Sequence, residues 1–129
     1  MDRDRHTDTS GSGYSSRLRP ILTMRPKYNA PSGEGGSPHQ FNADLDLLDW
    51  MEVQGYQFDV ITDEDLHFEG ADLLAPYLVM VTGTHPEYWS AQMLDALESY
   101  LAKGGRLMYL GGNGFYWVTS FAPERPHVI

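Results

Sequence analysis

Two short segments of the sequence hold the residue types that could perform chemistry. The first is GTHPEYW at residues 83–89, in which His85 and Glu87 lie two positions apart directly after an apolar run. In extended backbone, residues i and i+2 project to the same side, and Pro86 favours extended geometry at His85. A carboxylate can bind a hard cation or act as a general base, and a neighbouring imidazole can carry protons or orient the carboxylate. The pair is therefore a candidate catalytic or metal site.

A purely structural role for the same two residues also fits the sequence. Glu87 would then lie in the first turn of the helix that begins near Ser90, where the helix dipole favours a carboxylate, and His85 would end a strand. A His/Glu pair at this spacing is not specific, so the spacing alone leaves both roles open.

The second segment is GGNGFYW at residues 111–117. Its glycines permit left-handed torsions or close backbone approach, and Asn113 offers an amide for ligand contact. A simple strand-to-loop turn would use the same residues. The segment has neither the GxGxxG pattern nor the lysine of a phosphate-binding loop. Aromatic residues of both segments predict an apolar wall at this edge, although core packing is their commoner role; these are Tyr88, Trp89, Phe115, Tyr116 and Trp117.

The elements around these segments are those of an α/β protein. The apolar runs YLVMVTG (77–83) and RLMYLGG (106–112) predict buried strands, the first of them covered on both faces by helices. Between them, SAQMLDALESYLAKGG (90–105) predicts a helix with Ser90 as its N-cap and Gly104 as its left-handed stop. The order of strand, helix and strand indicates an open, mostly parallel sheet with flanking helices and right-handed crossovers.

Further elements are predicted upstream. A helix is expected from Ser37 to Gly55, with Asp44 on its solvent face. QFDVITD (57–63) predicts a short strand. The run at 21–24 is bounded by prolines and predicts an edge strand. Because ligands bind outside the carboxyl ends of parallel strands, we expect the two chemistry-bearing segments to lie side by side at that edge.

Composition limits the function classes. The chain has 129 residues, a formal net charge of −9 and no cysteine. The charge argues against nucleic acid and anionic membranes as partners, and no apolar run approaches the roughly 18 residues of a membrane span. The missing cysteine excludes a thiol nucleophile, a thiolate metal site and disulfides. The polar N-terminus is unlike a secretory signal, so we expect a cytoplasmic protein.

Composition divides the chain into two parts of unequal length. Residues 1–16 are polar with little to bury and predict a flexible arm or loop, whereas residues 17–129 predict one partial α/β domain, a piece of a longer polypeptide.

Three segments taken together resemble the large (beta) subunit of the N,N-dimethylformamidase family. They are RLRPILTMRPKYN, GTHPEYWS and GGRLMYLGGNGFYW, in this order and spacing, within a match that spans most of residues 17–125. HPEYWS followed at this distance by GGNGFYW is far more specific than either piece alone. The resemblance implies a class I glutamine amidotransferase-like domain, which is a flavodoxin-like, three-layer α/β fold.

The resemblance also implies a metal site. The family holds a mononuclear ferric iron with two tyrosinates and one glutamate, and a histidine lies close by. By this resemblance Glu87 and Tyr28 would be metal ligands, His85 the proton carrier, and Asn113 the asparagine of the site. The second tyrosine would come from a segment upstream of this chain.

The implied activity is hydrolysis of N,N-dimethylformamide, or a related small amide, to dimethylamine and formate. The chain by itself would be an incomplete amidohydrolase that needs the rest of the large subunit, a small subunit and homo-oligomerisation. An alternative is a non-catalytic amidotransferase-like module that binds a ligand or partner, since the missing cysteine excludes a standard glutaminase. A hydrolase of the same fold with another substrate is a third possibility.

Overall fold

The computed structural model describes residues 13–19 and 41–129, and within them the chain is α/β, as predicted. The helices are α1 (Phe41–Gln54), α2 (Asp63–Glu69), α3 (Ala71–Leu74) and α4 (Ala91–Ala102). The strands are β1 (Val79–Val81), β2 (Tyr88–Ser90), β3 (Arg106–Met108) and β4 (Trp117–Thr119).

The strands form two parallel pairs. β1 pairs with β3, from Val79 opposite Arg106 to Val81 opposite Met108, and α4 lies in the connection between them. β2 pairs with β4, from Tyr88 opposite Trp117. The parallel pairing of the two predicted strands is confirmed.

The described residues do not form the single open sheet that was predicted. They form two separate two-stranded sheets, because the segments that follow β1 and β3 leave the first pair before they reach β2 and β4. Pro86 lies in the first of these breaks and has no N–H to donate to a ladder. The amidotransferase-like, three-layer class stays a prediction.

The predicted strand at residues 57–63 is wrong. Its residues join no ladder in the described part of the chain, and Val60 is 67% exposed. The segment ends in a capping box instead, in which Thr62 and Asp65 exchange hydrogen bonds and begin α2. The predicted edge strand at 21–24 and the predicted helix start at Ser37 lie outside the described residues.

The core lies between α2, α3, α4 and the first strand pair. Its buried members are Leu66, Leu74, Trp89, Met93, Ala96, Leu97 and Tyr100. Met93, Leu97 and Tyr100 recur at helical spacing, so α4 presents one apolar face to the core. Trp89 of β2 belongs to the same core and therefore fixes the end of the His85–Glu87 segment to α4.

The ends of α4 follow the sequence prediction. The hydroxyl of Ser90 accepts a hydrogen bond from the amide of Met93 at 3.2 Å, and Gly104 adopts a φ of +94° just beyond the helix. Ser90 is also fully buried, so the helix start is a fixed point from which β2 runs back towards the candidate site.

One face of the β1–β3 pair is uncovered within the described residues. Met80 and Leu107 pack against the core, whereas Val79 and Met108 on the opposite face are exposed. Leu78, just before β1, is 81% exposed. The prediction that helices cover both faces of this strand does not hold for the described part of the chain.

Residues 13–19 lie against the last residues of the chain. Ser15 and Ile129 exchange backbone hydrogen bonds of 2.7 and 2.9 Å, and Ser16 bridges to Val128. The predicted division at residues 16 and 17 stays a prediction. Within the described ranges, no helix combines the length and apolar character needed to cross a membrane.

Candidate functional site

The carboxyl ends of β1 and β3 are tied together by Thr82. Its backbone amide donates to the carbonyl oxygen of Met108 at 3.0 Å, and its hydroxyl accepts from the amide of Leu110 at 3.1 Å. Thr82 is buried, so water does not compete for these hydrogen bonds. The two chemistry-bearing segments therefore start from one fixed junction.

Beyond that junction the two segments run together. The amide of Phe115 donates to the carbonyl of Pro86 at 2.7 Å, and the amides of Tyr116 and Trp117 both donate to the carbonyl of Glu87, at 3.1 and 3.0 Å. The structure thus brings residues 85–88 and 112–117 side by side, as the parallel order of the strands led us to expect.

The backbone at Pro86 is a tight turn. The amide of Glu87 donates to the carbonyl of His85 at 2.8 Å, which closes an i to i+2 turn around the proline. The fixed φ of proline suits the inverse form of this turn. The straight, extended presentation expected at this point is therefore replaced by a turn, and both His85 and Glu87 are half-buried.

The predicted place of Glu87 in the first turn of α4 does not fit the structure. β2 separates Glu87 from α4, and the first turn of α4 holds no acidic residue. The carboxylate is therefore not a partner of that helix dipole. Its role as a ligand stays a prediction.

The imidazole of His85 packs against the backbone of Gly112. A Cβ atom built on Gly112 would lie 2.7 Å from Cδ2 and 2.8 Å from Nε2 of His85, closer than carbon atoms approach without displacement. Gly112 has a φ of +77°, so its left-handed torsion, one of the two uses predicted for these glycines, is confirmed. The close approach of the His85 ring to the Gly112 backbone is the other predicted use of these glycines.

Asn113 is exposed in the turn that follows. Gly111 and Phe115 on either side of it also have positive φ, at +97° and +53°. The ring of Phe115 packs edge-on against buried Trp89, with centroids 4.9 Å apart. The asparagine loop, residues 111–115, is thus anchored in the core through Phe115. The side-chain amide of Asn113 stays accessible to a ligand.

The predicted aromatic wall divides into two parts. Trp89 is a core residue, whereas Tyr88, Tyr116 and Trp117 are largely exposed. Tyr116 and Trp117 pack against each other, with centroids 5.2 Å apart. The exposed rings lie next to the site in the chain and supply apolar surface there.

Asp44 supports the backbone of the candidate site. It was predicted to face solvent, but its Oδ1 accepts a hydrogen bond from the amide of Thr84 at 2.8 Å. A Cβ atom on Gly83 would lie 2.9 Å from Oδ2, so the carboxylate also packs closely on that glycine. The start of α1 therefore holds the backbone directly before His85. No local pattern signals a contact across 40 residues.

His67 of α2 contacts the start of α4. It is half-buried, and its Nδ1 lies 2.8 Å from the hydroxyl of Ser90. Its ring packs on Phe68 and Phe121. This histidine supports the start of α4 and lies outside the candidate site.

The donor atoms of the site suit a hard metal ion only in part. Glu87 supplies carboxylate oxygens, a donor type that ferric iron prefers, from a loop fixed by backbone hydrogen bonds. Within residues 13–19 and 41–129, no three His, Cys, Asp or Glu side chains cluster closely enough to hold a metal. The predicted ligand Tyr28 lies outside the described residues. A metal site that included Glu87 would therefore need further ligands from other segments.

Similarity to known proteins indicates a family for the chain. A family model described as N,N-dimethylformamidase beta subunit-like, C-terminal, matches residues 3–129. The N,N-dimethylformamidase beta subunit of Paracoccus aminophilus is 48% identical over 126 residues, and that of Alcaligenes sp is 46% identical over the same length. Each match covers 98% of this chain but only 16% of the relative, so the chain spans about one-sixth of the proteins it resembles.

Proposed function

The chain belongs to the N,N-dimethylformamidase beta subunit-like, C-terminal family, and from this membership we propose that it carries part of an iron-dependent amidohydrolase site. The proposed reaction is hydrolysis of N,N-dimethylformamide, or a related small amide, to dimethylamine and formate. The observation that carries the proposal is the hydrogen-bonded pairing of the His85–Glu87 turn with the Asn113 loop.

Glu87 and Tyr28 are the proposed ligands of a mononuclear ferric iron. A carboxylate and a phenolate are hard, anionic oxygen donors, which suit ferric iron better than soft metals. When bound, the ion would supply a Lewis acid that lowers the pKa of water and polarises an amide carbonyl. In this proposal Tyr28 and a tyrosine from elsewhere in the polypeptide complete the ligand set.

His85 moves the protons of the reaction. Addition of water to the amide carbon releases one proton, and departure of the amine requires one proton at nitrogen. An imidazole nitrogen of His85 can take the first and deliver the second, which balances the reaction without net change in the enzyme. The packing of its ring on Gly112 and the hydrogen bond from Thr84 to Asp44 limit the positions that the imidazole can reach.

Asn113 stabilises the charge that develops on the substrate oxygen. Its side-chain NH₂ is a donor in an exposed position on a loop held at both sides, so little reorganisation is needed when substrate binds. The exposed rings of Tyr88, Tyr116 and Trp117 offer apolar contacts to the methyl groups of an uncharged amide.

We further propose that the active protein is a cytoplasmic, multi-subunit enzyme. Both relatives are named as beta subunits, which implies at least one other type of subunit. A small subunit and further copies of the large subunit are the proposed partners, and the exposed apolar face of the β1–β3 pair is consistent with additional protein packing there.

Removal and return of iron test this function. The intact protein with its partner subunits is assayed for release of formate and dimethylamine, then stripped with a chelator and reloaded. We expect hydrolysis to disappear with the iron and to return with it, whereas zinc does not restore it. If the stripped protein hydrolyses the amide at the original rate, the proposal is wrong. Amide binding without product release would favour the non-catalytic module instead.

A further inference from the structure

We propose that Gly112 is a positioning residue that sets the location of the His85 imidazole, an inference that rests on the proton-transfer role proposed for His85. The observation is the contact between them. An added Cβ on Gly112 would come within 2.8 Å of Nε2 and 2.7 Å of Cδ2, and still closer to the carbonyl oxygen of Thr84. The glycine backbone therefore forms one wall of the space in which the ring lies.

Hydrogen bonds prevent the loop around Gly112 from moving away from the His85 ring. The hydroxyl of Tyr109 donates a hydrogen bond to the carbonyl oxygen of Gly112. On one side the amide of Leu110 is bonded to Thr82, and on the other the amide of Phe115 is bonded to Pro86. A methyl group at position 112 must therefore displace either the imidazole or the backbone of Thr84.

Either displacement moves His85. The ring would be pushed directly, and a shift of the Thr84 carbonyl would move the backbone of the next residue, which is His85 itself. Proton transfer depends strongly on distance, and a misplacement of about 1 Å can lower a catalytic rate by about 100-fold. Gly112 thus contributes to catalysis because it has no side chain that would overlap the space of the imidazole.

Gly111 provides a matched control for the backbone. It has a φ of +97°, so alanine at position 111 meets left-handed strain at least as large as alanine at 112, where φ is +77°. Beyond its two chain neighbours, no heavy atom lies within 4 Å of a Cβ built on Gly111. Gly111→Ala therefore imposes the strain without the contact on His85.

The experiment compares Gly112→Ala and Gly111→Ala in the full-length protein with its partner subunits. We expect Gly112→Ala to lower kcat by about 100-fold with little change in KM, and Gly111→Ala to change kcat by less than about threefold. Crystal structures of the two variants provide the readout that is independent of activity. The His85 ring should be displaced in the first and unmoved in the second. A ring that stays in place in Gly112→Ala overturns the inference.

A double-mutant cycle separates this inference from the proposed function. In a His85→Ala background, Gly112→Ala should have no further effect on kcat, because the residue it acts through is gone. An equal loss in both backgrounds would overturn the positioning role while leaving the function intact. Full activity of His85→Ala alone would instead refute the proton-transfer role proposed for His85.

A milder variant covers the case in which Gly112→Ala does not fold. Tyr109→Phe removes the hydroxyl that donates to Gly112 and keeps the ring that packs beside the loop. We expect a smaller loss of kcat, which again disappears in the His85→Ala background. A loss that persists in that background contradicts the positioning role.

Discussion

At the scale of single residues, the candidate site is a turn held from several directions. Asp44 binds the backbone before His85, Gly112 packs on its ring, and the carbonyl of Glu87 accepts two amides from the next segment. Each of these contacts restricts the segment that carries the imidazole and the carboxylate. A site that must place a proton carrier beside a metal ligand gains from such restriction.

The chemistry-bearing residues were predictable, and their supports were not. His85, Glu87 and Asn113 stand out because polar residues follow two apolar strands, and parallel strands bring such segments together. The contact of Asp44 depends on where α1 lies in space, which no local pattern encodes. Gly112 was identified as a residue of special torsion, but its packing on His85 required coordinates. The catalytic and ligand roles of all these residues remain predictions.

Asp44→Ala should destabilise the protein and weaken the site. The substitution leaves the half-buried amide of Thr84 without its acceptor, and such a loss costs about 1–3 kcal/mol. We expect that decrease in the free energy of unfolding, measured by urea denaturation. Asp46→Ala is the control, because Asp46 is exposed on the same helix. Equal stabilities of the two variants would show that the Asp44 contact contributes nothing.

At the scale of elements, helix ends were more predictable than strands. Ser90 caps α4 and Gly55 and Gly104 adopt the expected positive φ, because caps depend on residues close in sequence. The strand predicted at 57–63 failed because a strand needs a partner, and no described residue pairs with it. The pattern of apolar residues likewise did not indicate that the sheet divides near Pro86.

The capping box of α2 predicts a specific dependence on pH. Hydrogen bonds from the hydroxyl and amide of Thr62 lower the pKa of Asp65 below its ordinary value of 3.8. A lowered pKa means that the ionised carboxylate stabilises the fold at pH values above 3.8, and that this contribution is lost as pH falls through the still lower pKa of the folded state.

Thr62→Val tests that dependence. The variant keeps the shape of the side chain but loses the hydroxyl, so it should be less stable than the wild type at neutral pH. The difference between the two should shrink in denaturation curves recorded below pH 3.8. A difference that is constant from pH 7 to pH 2 would show that the hydroxyl of Thr62 does not stabilise the ionised carboxylate of Asp65.

At the scale of the whole molecule, the described core is small and one strand face is open. The chain spans 16% of the length of its relatives, and the exposed side of the β1–β3 pair carries the apolar residues Val79 and Met108. The family and the α/β class could be inferred from sequence, because motif order and strand–helix alternation are local properties. The complete ligand set of the proposed iron could not, since the proposed ligand Tyr28 lies outside the described residues.

The central claim is that Glu87 holds an iron ion beside His85 and the asparagine loop. Its most direct test is the iron content of the intact enzyme carrying Glu87→Gln, measured by mass spectrometry beside the wild type and Glu98→Gln, an exposed glutamate on α4. We predict that Glu87→Gln retains less than about a tenth of the wild-type iron, a loss at least as large as those typical of residues around a metal. Glu98→Gln should retain it all. Wild-type iron content in Glu87→Gln would contradict the account.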